Sequence, residues 1–207
     1  MAVLAAAIAA ALLSGLALAI ALLGAGEGML ASHERMSRSL RQAAEGAVQL
    51  ALADLRSAPS WDVVLAAGGV AEVSAAPGRL FDGSLLPPAP WGGGALDLRA
   101  ATVRLQAAAD AGRGPGDGPQ VWRLFIAGPL ARAVPGVAAP PWYVGVWVAD
   151  DRADSDGDGG HDTNGIVAVR GMAFGPFDAL AAVDASLWRD PAGSSGAVRI
   201  LTIRPGS

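Results

Sequence analysis

A chain of 207 residues has room for one modest domain plus an anchor. Its net charge of −4 is mild, and its basic residues, all Arg, are scattered among acids, which argues against nucleic acid as a partner. With no Cys, disulfides, thiolate zinc sites and cysteine nucleophiles are all excluded.

The amino end comes first. Residues 1–26 contain no ionisable side chain, and Leu4, Ile8, Leu12, Leu13, Leu16, Leu18, Ile20, Leu22 and Leu23 supply the apolar bulk. At about 1.5 Å per residue such a helix crosses the roughly 30 Å of a hydrocarbon core. A cleaved secretory signal is the competing reading. The length of the apolar run, the lack of a basic start and the lack of a break after it favour an anchor. Arg35, Arg38 and Arg41 follow the apolar run and no basic residue precedes it, so the positive-inside rule alone places the rest of the chain in the cytoplasm.

Residues 27–57 continue the same helix with a different face. Met36, Leu40, Ala43, Ala47, Leu50 and Leu55 recur at three- and four-residue steps and form the expected packing stripe. Glu34, Arg38, Arg41, Glu45 and Gln49 run down a second stripe, with Glu34–Arg38 and Arg41–Glu45 at i,i+4 spacing. That stripe reads as a solvated face, and the competing reading is a face that contacts neighbouring subunits. Ser57, Pro59 and Ser60 end the helix.

Residues 58–120 read as a loop-rich connecting region, punctuated by Gly68-Gly69, Pro87-Pro88, Pro90 and the glycines at 92–94. Short elements are expected at 61–65 and 96–105, the second ending in a strand at 101–106, and a Gly/Pro/Asp loop at 110–119. The glycine run lacks the spacing and the strand-then-helix context of a phosphate-binding loop.

Residues 121–207 read as a β head. Short apolar runs at 121–127, 142–149, 166–174, 181–188 and 198–203, separated by turn residues, predict an antiparallel meander. Such a sheet buries one face, and the stripe Met36, Leu40, Ala43, Ala47, Leu50 is the obvious cover. The expected fold class is therefore α+β: a long helix whose second half packs on a small antiparallel sheet.

The loop at 150–165 joins two of these strands and holds six Asp residues. Asp154, Asp156 and Asp158 alternate, Gly159 follows, and Asp162 comes next, which is the pattern of hard oxygens that calcium takes. An EF-hand places a bidentate Glu at its twelfth position, where this loop has Gly165, so it is not an EF-hand. The competing reading is a solvated acidic hairpin loop ending in the Asn164-Gly165 turn signal. His161 beside Asp162 lacks the partners of an acid–base site, and no GxSxG elbow is present. No enzyme and no small-molecule substrate are expected.

Glu34-Arg35-Met36-Ser37-Arg38, followed by Gln42-Ala43-Ala44-Glu45-Gly46-Ala47, resembles the amino-terminal region of PilX-type minor pilins. Asp162-Thr163-Asn164-Gly165-Ile166-Val167 and Ala173-Phe174-Gly175-Pro176 are similar to the carboxy-terminal part of pilus assembly proteins with that domain. The resemblance implies a pilin-like fold and a non-enzymatic subunit in the assembly of a type IV pilus or a secretion pseudopilus. It further implies an inner-membrane anchor, a periplasmic head and other pilin or pseudopilin subunits as partners. Glu34, Arg35, Met36, Ala43, Ala44 and Glu45 carry the family motif. Prepilins carry a short basic leader ending in Gly, and usually a Glu at the fifth mature position. No basic residue or Glu precedes Glu27 here, so the resemblance leaves two expectations: a leader encoded upstream of Met1, or a protein that is not processed. The alternative expectation is a membrane-anchored periplasmic calcium-binding module unconnected to a fibre.

Overall fold

The computed structural model describes residues 2–66, 85–86, 96–130, 142–154, 156–190 and 197–206. The glycine and proline clusters noted between 68 and 94 therefore lie outside the described residues, apart from the short strand at 85–86. The chain divides into two units, Met1–Ser39 and Leu40–Ser207.

Helix α1 runs from Ala2 to Leu55. In the first unit its side chains are exposed wherever they are described, apart from the half-buried Met36 and Ser39: Leu12, Leu16, Ile20, Leu23 and Leu30 are each 59–70% exposed. This stretch is long and apolar enough to cross a membrane. Exposed leucines along a whole turn cost free energy in water, and a lipid surround removes that cost.

The second unit is α+β. Strands β3 (Arg123–Pro129), β4 (Tyr143–Asp150), β5 (Ile166–Phe174), β6 (Leu180–Arg189) and β7 (Val198–Pro205) form one sheet in that order, each antiparallel to the next. A two-residue pair, β1 (Leu85–Leu86) with β2 (Leu96–Asp97), forms a separate small ladder. The expected meander holds, with strand ends shifted by a residue or two for all but β5.

Register fixes which side chains share a face. Val146, Gly171 and Val183 lie in one row across β4, β5 and β6; Val148, Val169 and Ala185 form the next; Asp150, Val167 and Leu187 the third. This face receives the last four turns of α1, where Leu40, Ala43, Ala44, Ala47, Val48, Ala51, Leu52 and Leu55 are buried. Gly171 permits the approach: a Cβ there would lie 2.6 Å from Val48 Cγ2 and 2.7 Å from the Ala44 carbonyl oxygen. Helix and strand backbones touch at this point, so the position excludes any side chain.

The expectation of one buried face is corrected. Every residue of β4 is buried, on both sides. The second face of β3 and β4 is covered by a helix, α3 (Leu98–Ala111), where a strand at 101–106 was expected. The six residues of that window do alternate, but over fourteen residues Leu98, Ala101, Leu105 and Ala109 fall at helical spacing and are the buried ones. Asp97 supplies the N-cap, its side chain accepting from the Ala100 N–H. The α3 cluster includes Tyr143, Trp147 and Ala149 of β4, and Trp147 Nε1 donates to Thr102 Oγ1 at 2.7 Å. Beyond β5 this face becomes polar, with Asp184 and Ser186 half-buried and Thr202 and Arg204 exposed. Helix α2 (Trp61–Ala66) fills the remaining gap beside β4 through Trp61, Val64 and Leu65.

Candidate functional site

Two features are the candidates for function: the amphipathic stretch of α1 and the loop between β4 and β5. Of the expected packing stripe, Leu40, Ala43 and Ala47 are buried and Leu50 is half-buried. Met36 belongs to the first unit and is half-buried. Ala44, Val48, Ala51 and Leu52 complete the buried face, which is wider than a single stripe of bulky residues suggests because alanine fills half of it. Among the family-motif residues, Glu34 and Arg35 are exposed, Ala43 and Ala44 are buried, and Glu45 is half-buried. Arg35 Nε donates to the Ala31 carbonyl at 3.1 Å, and Arg41 Nε donates to Glu45 Oε1 at 3.2 Å. Both stay within their own helix turn.

The β4–β5 loop is built by its own carboxylates. Asp154 accepts from the backbone N–H of Asp156 at 3.3 Å, Asp156 from that of Asp158 at 2.8 Å, and Asp158 from that of Gly160 at 2.9 Å. Asp162 Oδ1 accepts from the N–H groups of Gly165 and Ile166 at 2.9 and 3.1 Å. Gly157 and Gly165 take positive φ values of 76° and 79° to allow these turns. Main-chain N–H groups thus offset the mutual repulsion of the aspartates within the loop.

The four aspartates singled out for calcium are therefore spread along the loop as backbone acceptors. Asp156 and Asp158 are exposed, Asp162 is half-buried and Asp154 is 3% exposed. Asp156 Oδ2 also meets His161 Nδ1 at 3.2 Å, and that hydrogen bond raises the His161 pKa above its ordinary value. A different trio converges. Asp150, Asp151 and Asp154 each offer one carboxylate oxygen, and these oxygens lie within 4.8 Å of one another. Calcium–oxygen bonds of about 2.3–2.6 Å fit such a spacing. Asp150 escaped the sequence reading because it ends a strand; its signal was the alternation Val144, Val146, Val148, Asp150, which turns a carboxylate toward the core.

Burial pushes the Asp150 carboxyl up to about 7; the Asp151 N–H opposes the shift, and the Asp154, Asp151 and Asp162 carboxylates add to it. Burial likewise raises Asp162 to about 6, against the N–H groups of Gly165 and Ile166 and with Asp154 and Asp62 adding. For Asp154 burial acts upward too, but hydrogen bonds from the Thr163 hydroxyl and from the backbone of Thr163, Asp156 and Asn164 outweigh it and hold the carboxyl below its ordinary value. The sign of the pH dependence follows. Folding raises the Asp150 and Asp162 pKa values, so their protonated forms favour the folded state. That contribution is complete below about pH 4, the unfolded value, and is lost as pH rises through 6 and 7.

The loop is tied to the end of α1. Arg189, 7% exposed, donates from Nη1 to the Ala58 carbonyl at 2.6 Å and from Nη2 to the Leu55 carbonyl at 2.7 Å. These carbonyls lie at the negative end of the helix, where a cation is favoured. The guanidinium stacks on Trp61, 4.3 Å from the ring centroid. Trp61 Nε1 in turn donates to the Gly165 carbonyl at 2.9 Å, and the Asp162 N–H donates to Asp62 Oδ1 at 2.8 Å. Nothing in the local sequence of 189 signals this role, because its partners lie more than 130 residues away.

Comparison with known protein families, curated proteins and solved structures finds no match to any of them.

Proposed function

We propose that the chain is a non-enzymatic, pilin-like membrane subunit that takes part in assembling a type IV pilus or a related secretion pseudopilus. The observation that carries this reading is the single helix Ala2–Leu55: apolar and exposed in its first unit, and packed on an antiparallel sheet from Leu40 onward. A span of this kind buries its leucines in lipid, or against other apolar helices once a subunit leaves the bilayer. The likeness of residues 34–47 to PilX-type minor pilins supplies the identity of those neighbours, namely other pilin or pseudopilin subunits. In this reading the anchor lies in the bacterial inner membrane, the head lies in the periplasm, and Glu34, Arg35 and Glu45 meet adjacent helices.

The test is topology followed by proximity. Alkaline phosphatase fused after residue 206 is expected to be active, and a photo-crosslinker at Leu23 is expected to capture pilin-family subunits in cells that build the fibre. A cytoplasmic head, reported by an inactive phosphatase fusion and a fluorescent green-fluorescent-protein fusion, defeats the reading.

A second reading, a calcium-stabilised head with or without a fibre, is favoured by the convergence of Asp150, Asp151 and Asp154. For the full chain in detergent micelles at pH 7.5, millimolar calcium is expected to raise the melting temperature by roughly 3–8 °C. At pH 5, where Asp150 and Asp162 carry protons, the increase should fall to less than half. Asp151→Asn should abolish the response, whereas loss on Asp158→Asn instead would return the site to Asp154, Asp156, Asp158 and Asp162. An unchanged melting temperature at pH 7.5 sinks the calcium reading.

A further inference from the structure

The sheet has two edges of different character. On β3 no residue is exposed, and Phe125 and Ala127 are only 4% and 2% exposed. On β7 every residue after Val198 is exposed, including Ile200, Leu201 and Ile203 at 37%, 51% and 48%. Strand β7 pairs with β6 on one side, and among the described residues its outer side pairs with no strand. Eight residues at about 3.3 Å each leave roughly 26 Å of main-chain donors and acceptors along that side.

The chemistry of this edge is one-signed. Residues 198–205 hold Arg199 and Arg204 and no acid, in a chain whose net charge is −4. Arg204 stands in register with Asp184 of β6, which is already engaged by Arg170 of β5 through hydrogen bonds of 2.7 and 3.1 Å. The row thus sets two guanidiniums against one carboxylate. Arg199 lies in register with Trp188, its guanidinium 5.8 Å from the ring centroid, on the same face. A cavity of about 540 Å³ opens on this face between α3 and the sheet, lined among others by Arg152, Arg170 and Arg204 together with Asp151 and Asp184.

We propose that β7 is the acceptor edge for an extended, acidic segment of a different protein, which adds as a sixth strand and lays its carboxylates over Arg199 and Arg204. Main-chain pairing supplies affinity in such an addition, and alternate side chains supply choice of partner. The charge pattern disfavours a second copy of this chain as the occupant in the centred register. Two β7 strands paired antiparallel about their centre put Arg199 opposite the second copy's Arg204, and like charges directly opposite each other are destabilising. The bulge that leaves Leu201 between Ile200 and Thr202 adds to this discrimination, since a second copy brings a second bulge. An acidic strand has neither difficulty. This inference does not depend on the chain being part of a fibre, and its failure would leave that reading untouched.

The experiment uses the full chain in detergent micelles and fluorescein-labelled nine-residue peptides that alternate Glu with Val or Thr, read by fluorescence anisotropy. The Glu peptide is expected to bind saturably, and its Lys counterpart at least tenfold more weakly. The Glu peptide N-methylated at alternate amides, which cannot join a ladder, is expected to lose binding. The double variant Arg199→Glu/Arg204→Glu should reverse the preference between the Glu and Lys peptides. Failure of the Glu peptide to bind overturns the proposal. So does equal binding of the N-methylated peptide, which reduces the interaction to diffuse charge attraction, and so does equal binding of the Lys peptide.

Discussion

Arg189→Met is expected to destabilise the sheet unit by about 3–5 kcal/mol, more than any other single side-chain replacement considered for this protein. The change removes the guanidinium that the Ala58 and Leu55 carbonyls accept from at 2.6 and 2.7 Å, leaving Leu55 only the longer bond from the Ala58 N–H at 3.3 Å, at the end of a helix whose last turn contains no basic residue of its own. It also removes the cation from the face of Trp61, and with it the support for the indole that reaches Gly165 at the end of the acidic loop. Arg189→Lys should recover less than half of the loss. An ammonium is a point donor and cannot hold both carbonyls while lying flat on the ring. Urea denaturation of the full chain in micelles, followed by near-ultraviolet circular dichroism, measures both variants. A loss below about 1 kcal/mol for Arg189→Met would show that water satisfies the helix end equally well.

The second large effect is steric. Gly171→Ala introduces a Cβ 2.7 Å from the Ala44 carbonyl oxygen and 2.6 Å from Val48 Cγ2. The first of these atoms is backbone and cannot rotate away, so α1 must lift from β5 along the buried stretch from Ala43 to Leu52. Overpacking of this kind costs about 2–3 kcal/mol, and Gly171→Val should cost more still. Gly175→Ala is the control on the same strand's continuation. Its new Cβ meets only the side-chain carbons of Leu40, the nearest at 3.1 Å, and a leucine rotates or shifts for less than about 1 kcal/mol. Equal losses at 171 and 175 in the same denaturation assay would refute the close approach of helix and sheet backbones.

How much of this was legible in the residues differs by element. The sheet was legible, because short runs rich in Val and Ala at 166–174 and 181–188 are separated by turn residues. The helix was legible for the same reason: no proline interrupts it before Pro59, and its hydrophobic period is unbroken. The second helical layer was missed through the period of one short window. Residues 101–106 alternate like a strand, and only the longer spacing from Leu98 to Ala109, with Asp97 as cap, reveals α3. That single error hid why β4 is buried on both faces and why Gly145 must lack a side chain: a Cβ there would lie 2.7 Å from the Trp147 ring that α3 covers. At the acidic loop the residue types were legible and the convergence was not. Alternating aspartates serve main-chain turns as readily as a cation, and the trio that gathers includes one residue from the end of β4. The role of Arg189 had no local signal at all, since a buried arginine is specified by partners that only the tertiary fold brings near.

The separation between Arg189 and Leu55, 134 residues along the chain, has a meaning in time as well as in space. Ribosomes add about 5–20 residues per second, so the end of α1 leaves the ribosome roughly 7–27 seconds before the guanidinium that caps it. During that interval the apolar face of residues 40–55 has no sheet to lie on, and the strands that will cover it arrive in the order β3 to β7. The nascent chain thus carries an unfinished, sticky helix for most of its synthesis. Whatever cell makes this protein must shield that surface by chaperone or by membrane until β6 is in place.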